Sequence, residues 1–389
     1  MKIVHLCLCG LFGEKYAYQD NLLTKYHKKM GNEVTIIAPT ASKFTSNGGV
    51  VNEPAGSKTL DTGCKLIRIE NKFKSKNINK HFNLYKDFAN VVMSEKPDLI
   101  YVHNVTCFNY LCVLKIKKKL PQVKIVFDNH MDEYNSNQNS LSRFLNGFVF
   151  RYFVVKRLLK LSNIFYGVTP SRCTFLKDVF KVPEQKIRLL YMGADDEKMD
   201  LAHKNDIRLS VRKQYGIADD DFLIVTGGKI DKVKNIHLLA EAVSKIENPH
   251  VKILMFGTIV DELKPIIESL LSDRVIYIGW INSDTVYNYF FAADLVMFPG
   301  LHSAMWEQAV ASMVPLAVTK LRGFDQVDFN GICLFMDGKG VDYYKSFVEH
   351  IVDDSILYNQ LKTNAESEGA SKFLYSNIAQ KVIEDAFHS

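Results

Sequence analysis

Short continuous apolar runs alternate with amphipathic stretches of helical period along the first half of this chain, and the pattern restarts near residue 222. Runs that are apolar on both faces suit parallel strands buried under helices. Strands alternating with helices of this length imply doubly wound parallel sheets, so the fold class is α/β. Strands are expected at 2–8, 33–38, 98–103, 124–129, 164–168 and 187–191, then at 222–226, 251–256, 275–278, 294–298, 315–319 and 332–335. Helices are expected in the first half at about 16–30, 82–95, 107–119, 143–161 and 171–180. The Ser-, Asn-, Gly- and Lys-rich stretch 40–80 reads as a long insertion with little regular structure.

A chain of 389 residues is long for one domain, which favours two. Charge divides it as well. Residues 1–190 hold 30 Lys and Arg against 14 Asp and Glu, whereas residues 191–389 hold 19 against 29. A basic half suits a phosphorylated ligand, an anionic membrane or nucleic acid, but no nucleic-acid module is recognisable. No apolar run approaches the roughly 18–20 residues of a membrane span. The seven cysteines are scattered and form neither a disulfide framework nor a metal-ligand spacing, as expected of a reducing cytoplasm.

The segment from Phe222 joins an apolar strand to Gly227-Gly228-Lys229 and then, through Lys234-Asn235, to a helix with Ile236, Leu239, Ala240 and Val243 on one face. The glycines permit a sharp turn, and Asn235 is placed to cap the helix. Strand ends and helix starts of open α/β sheets favour anionic ligands, so Lys229 and Lys234 are candidate phosphate contacts. The competing reading is two solvated lysines in a surface loop. The run 219–221, three aspartates, reads as a solvated turn, and no Asp-X-Asp metal site is evident.

These landmarks in order resemble the retaining nucleotide-sugar glycosyltransferases of the two-Rossmann (GT-B) class, family four. Residues 17–38 look like that family's first helix, turn and second strand, and 191–195 (Tyr-Met-Gly-Ala-Asp) like the element closing its first domain. Gly228-Lys229 and Lys234 match its Gly-Arg-Leu…Lys loop, with Lys for Arg. Phe256-Gly257, Gly279-Trp280 and Ala293-Asp294 fall at later landmarks, and 373–379 resembles the last helix, which crosses back. The resemblance implies two Rossmann-like doubly wound domains facing a cleft. They are an acceptor-binding domain over 1–193, a nucleotide-sugar donor-binding domain over 194–370, and a returning helix over 371–389.

It also implies roles. Lys229 and Lys234 would hold the donor diphosphate, with Gly13, Gly228 and Gly279 allowing close approach. His130 matches the pocket histidine that contacts the donor sugar. Asp132 and Glu133 either orient an acceptor hydroxyl or cap the next segment. His103, Asn104 and Arg172 are weaker candidates, with Ser171 as a helix cap. The family's two glutamates, seven residues apart, are replaced: Ser303 falls at the first and Gln308 at the second, with Glu307 beside it. Either His302, Ser303, Glu307 and Gln308 form a substitute donor clamp, or the motif has decayed and the domain only binds.

The implied activity is transfer of a sugar from a UDP- or GDP-linked donor to a saccharide acceptor, lipid-linked or free, without metal or other cofactor, in cell-envelope or capsular polysaccharide synthesis. A nucleotide-sugar 2-epimerase and a donor-binding, non-catalytic partner subunit are the alternatives. Residues 143–160 interleave aromatics with basic residues and resemble an amphipathic helix lying on an anionic membrane, with Lys72, Lys74, Lys76 and Lys80 adding charge. The expected location is cytoplasmic or peripheral at the inner face of the cell membrane.

Overall fold

The structure is a computed structural model and describes residues 1–14, 16–43, 50–73, 84–366 and 368–388. Met1–Tyr191 with Tyr375–Ser389 form one compact unit and Met192–Leu374 a second. The sequence division at 193/194 and 370/371 thus sits a few residues from the division in space.

The first unit carries β1 (Lys2–Leu6), β2 (Glu33–Pro39), β3 (Ala41–Lys43), β4 (Val50–Asn52), β5 (Gly56–Thr59), β6 (Lys65–Ile69), β7 (Leu99–Val102), β8 (Lys124–Asn129), β9 (Phe165–Gly167) and β10 (Ile187–Leu189). Its main sheet runs β10-β9-β8-β7-β1-β2-β6-β5, parallel except for β5 at the edge. The second unit carries β11 (Phe222–Gly227), β12 (Val251–Phe256), β13 (Val275–Tyr277), β14 (Leu295–Phe298), β15 (Leu316–Thr319) and β16 (Cys333–Met336). Its all-parallel sheet runs β13-β12-β11-β14-β15-β16. In both sheets the order in which strands are added reverses beside the first strand, where β1 lies parallel to β7 and β11 to β14. The crevice outside the strand ends at such a reversal is where these folds bind ligands.

Period-two alternation sorts the first sheet into two layers. Val4, Leu6, Ile100, Val102 and Phe127 pack in one core, whereas Ile3, Leu99, Tyr101 and Val126 pack against the helices Gln19–Lys29 and Tyr375–His388. The second layer is why the last helix belongs to the first unit: Tyr375, Ile378, Ala379 and Val382 are buried there at helical spacing.

Several expectations are corrected. The described residues of stretch 40–80 hold four strands, and Lys65–Ile69, with Leu66, Arg68 and Ile69 buried, pairs parallel with β2. Buried Arg68 then ties that edge down, donating to Pro39 O, Ser42 and Glu14. The helix over 143–161 divides into α-helix Ser140–Phe144, π-helix Leu145–Val155 and a last α-turn Lys156–Leu158. Thr169, not Ser171, caps the helix Pro170–Asp178, accepting from Arg172 N with proline at the first turn. Asp221 is not solvated: it is buried and holds Lys252 at 2.9 Å and the Ala218 amide at 2.7 Å. Lys74, Lys76 and Lys80 lie outside the described residues.

One ion cluster anchors the second sheet. Asp294, at the start of β14, accepts from Arg208 (2.7 Å), Arg212 (3.1 Å) and the Leu223 amide (2.8 Å), which opens β11. Arg212, on the helix Lys204–Gln214, has a side chain only 1% exposed. Removing one partner of such a buried pair leaves an uncompensated charge. Asp294→Ala is therefore expected to lower unfolding free energy by about 3–5 kcal/mol, measured as a fall in the urea midpoint.

Candidate functional site

At the reversal of the second sheet, three strand-end loops meet backbone to backbone. Gly228 (φ 109°) follows β11 and Gly257 (φ 120°) follows β12; a Cβ on Gly257 would stand 1.8 Å from Gly228 O. Beyond β14, a Cβ on Gly300 would stand 2.4 Å from Lys234 Cα. Only glycine permits either approach. Gly279, past β13, joins the set by accepting the Gly257 amide at 2.8 Å.

The two lysines have different places in this cradle. Lys234 is partly buried, and its ammonium donates to the Leu301 and His302 carbonyls. Burial lowers its pKa, with Asp231 opposing. Lys229 projects outward, its side chain 67% exposed, with Asp231 at 3.5 Å. Asp231 shapes the intervening turn by accepting the Val233 and Lys234 amides, both at 3.0 Å. Asn235 does not cap with its side chain. It takes the left-handed conformation (φ 54°) and donates to Pro299 O at 2.9 Å, tying the lysine loop to the end of β14.

The clamp expected at 302–308 is turned inward. Glu307 is fully buried; its Oε1 lies 3.0 Å from His302 Nε2 and accepts from Gln326 at 2.9 Å. The His302 ring is wedged between Trp306 and Phe324. Both Glu307 oxygens lie within 3.2 Å of His302 Nε2, so the carboxylate orients that ring. Gln308 is buried too, and Ser303 is half-buried.

In the first unit the structure brings His130 together with His103 and Asn104, both weaker candidates in the sequence, and with Asp128, Tyr101, His5 and His27, which sequence reasoning missed. His130 lies just past β8, its side chain 34% exposed, with Nε2 at 3.3 Å from Asp128 Oδ2. The same oxygen meets His103 Nδ1 at 3.2 Å and accepts from the Tyr101 hydroxyl at 3.0 Å; Oδ1 accepts the Asn104 amide. The chain continues inward. His103 Nε2 is 3.0 Å from His5 Nδ1, His5 Nε2 is 3.0 Å from His27 Nδ1, and His27 Nε2 reaches Ala379 O at 3.1 Å. His5 in an otherwise apolar strand was the available signal, because a buried imidazole demands partners.

Burial, reinforced by His27 and His103, holds the His5 pKa well below the ordinary histidine range, and burial pushes His27 down to about 4. Burial would raise the Asp128 carboxyl, but His130 and His103 outweigh it and hold it well below the usual range. His103, Asp128 and His130 lie close enough to suggest a metal cluster. Their facing atoms are already engaged with one another, and Tyr101 shares the carboxylate, so a hydrogen-bonded set accounts for the spacing.

The other candidates serve locally. Asp132 caps the helix Glu133–Ser136, as the capping alternative expects, and its Oδ2 holds Arg172 Nε at 3.2 Å. Exposed Glu133 accepts from Asn137 at 2.9 Å. Gly13 O accepts from Asn21 at 3.0 Å, which pins the loop after β1.

Residues 21–198 match the model of Glycosyltransferase Family 4, and residues 208–368 that of Glycosyl transferases group 1. The chain belongs to the family-four glycosyltransferases. The uncharacterized glycosyltransferase MJ1607 of Methanocaldococcus jannaschii is 24% identical over 53% of this chain and 55% of its own. The chain thus spans about half the length of the curated relative it matches. Its fold is similar to that of Anabaena Alr3699/HepE in complex with UDP (TM-score 0.71, 15% identity, 99% of each chain). It is similar as well to sucrose-phosphate synthase of Thermosynechococcus elongatus (TM-score 0.68, 15% identity, 98% of this chain and 97% of the other). These likenesses establish the GT-B fold.

The neutral histidines of this family-four chain make its stability depend on pH. Unfolded, His27 titrates near its ordinary value of about 6.5, whereas folded it stays neutral down to about 4. Between those values the unfolded chain binds more protons, so stability falls as pH drops. Each such histidine contributes a slope of up to about 1.4 kcal/mol per pH unit. Urea midpoints measured from pH about 7 to about 4.5 should fall steadily; a flat profile would show that His27 titrates as in the free chain.

Proposed function

We propose that this protein is a retaining, metal-independent glycosyltransferase that moves a sugar from a UDP- or GDP-linked donor to a saccharide acceptor, lipid-linked or free, in cell-envelope polysaccharide synthesis. The observation that carries the reading is the glycine-lined junction at the reversal of the second sheet, with Lys234 anchored in it. Backbone without side chains admits a diphosphate closely, and a fixed ammonium supplies the charge such a ligand needs. As the anomeric carbon–oxygen bond breaks, charge builds on the departing diphosphate, and a cation there favours the transition state over the ground state. The acceptor oxygen bonds to the same face of the sugar while its proton passes to the leaving phosphate. Exposed Lys229 is free to swing onto that phosphate, and His130 would contact the sugar. The UDP found in the Anabaena HepE structure supports a uridine donor.

The test is turnover of a panel of UDP- and GDP-sugars with and without acceptor, read as nucleotide release, with product anomer assigned by NMR. Lys234→Ala should lower kcat/KM by about 10²–10³-fold, the usual effect of removing one transition-state donor. Unchanged turnover in Lys234→Ala, or release that is equally fast without acceptor, would remove the assignment.

Peripheral membrane contact is proposed for the π-helical segment. No helix among the described residues is long and apolar enough to cross a bilayer. Leu141, Phe144, Phe148, Tyr152 and Phe153 are exposed, and Arg151 and Arg157 sit over the Tyr152 and Phe153 rings. Exposed aromatics flanked by cations suit the interface of an anionic bilayer. The protein should sediment with anionic vesicles at low salt and less at high salt, and Phe148→Ser with Phe153→Ser should release it. Absence of low-salt binding would refute this contact without touching the chemistry.

A further inference from the structure

The histidine chain has an acceptor at each end, the Ala379 carbonyl and the Asp128 carboxylate, with three imidazoles between them. Four contacts of 3.0–3.2 Å link these groups, and each needs one proton. Three neutral imidazoles carry only three. Starting from the carbonyl, His27 must donate through Nε2, so His5 donates through Nε2 to His27 Nδ1 and His103 through Nε2 to His5 Nδ1. His103 Nδ1 then faces an oxygen that already accepts from Tyr101, and two bare acceptors would meet there unless a further proton is present.

We propose that His27, His5 and His103 are positioning residues that together hold one excess proton, placed on His103 against Asp128, and so keep His130 neutral. Asp128, already paired with a cation, has less pull on a second proton. His130 then donates Nε2–H to the carboxylate and presents Nδ1 to accept from a sugar hydroxyl. The functional half of this inference rests on the reading of His130 as a donor-sugar contact; the proton count does not. Other titratable groups facing the relay are Cys7 beyond β1, Asp20 of the first helix, Tyr101 on β7, Tyr166 on β9 and, on the last helix, Tyr375 and Asp385. Asp20 places a second carboxyl near Asp128: burial raises its pKa, while His103 and His130 oppose that shift.

Long-range proton–nitrogen NMR of histidine-labelled, full-length protein at neutral pH tests the count directly. The expected result is one imidazolium, lost in His103→Gln, with His5 and His27 both neutral and protonated on Nε2. Three neutral rings, or a stoichiometric metal ion bound by the purified protein at this cluster, would overturn the proposal. Activity supplies the second arm. In His5→Phe the His103 Nε2–H loses its acceptor, His103 reverts to a neutral ring donating through Nδ1, and His130 protonates more readily. The acidic limb of kcat/KM should then move up by about 1 pH unit. A folded His5→Phe with an unmoved limb would refute the positioning role. If that variant does not fold, or no nucleotide sugar turns over, the NMR result on the unaltered protein still decides the proton, and failure of the transferase reading remains a separate outcome.

Discussion

A single buried carboxylate organises the first unit. Asp128 is fully buried at the end of β8 and takes contacts from Tyr101, His103, His130 and the Asn104 amide. Such a charge is tolerable only with positive and hydrogen-bonding partners on every side. Satisfying it fixes where β7 ends, which way His130 faces, and why a histidine occupies the middle of β1. Through His27 the same demand reaches Ala379, so the last helix is joined to the sheet by a polar link as well as by apolar packing.

The second unit depends on the opposite device, backbone brought against backbone without side chains between. Glycines 228, 257 and 300 let the loops after β11, β12 and β14 close on one another, and Lys234 and Asn235 bond across the seam. A cation held by carbonyls keeps its charge while losing mobility, which is the condition for preorganised stabilisation of a departing phosphate. Glu307 does not add a carboxylate to that surface. Its oxygens are engaged by His302 and Gln326 in the interior, under the loop that follows β14.

Much of this was legible in the order of residues. Apolar runs separated by helical periods located all six strands of the second sheet and six of the eight of the first, because burial on two faces leaves no room for alternation. Gly228, Lys229 and Lys234 stood out as glycine and cations between a strand end and a helix start, where anions are favoured, and His130 through the family resemblance. What misled were segments whose composition and context disagree. Stretch 40–80 looks polar yet supplies edge strands, and Asp221 in a run of aspartates is buried by Lys252 and the Ala218 amide. Asp132, open in the sequence between an acceptor contact and a cap, does cap the helix Glu133–Ser136.

The sequence by itself determined the α/β class, the two doubly wound sheets and the places where a ligand loop could open, because these follow from local periodicity and from glycine geometry. Only the tertiary structure decided which polar groups meet. His5, His27, His103 and Asp128 come from different elements, and nothing in their spacing along the chain announces a shared hydrogen-bond chain. Whether Glu307 faces a ligand or His302 is likewise set by packing around Trp306 and Phe324. Hydrogen bonds are short-ranged and directional, so their partners exist only once the fold has brought distant residues within about 3 Å.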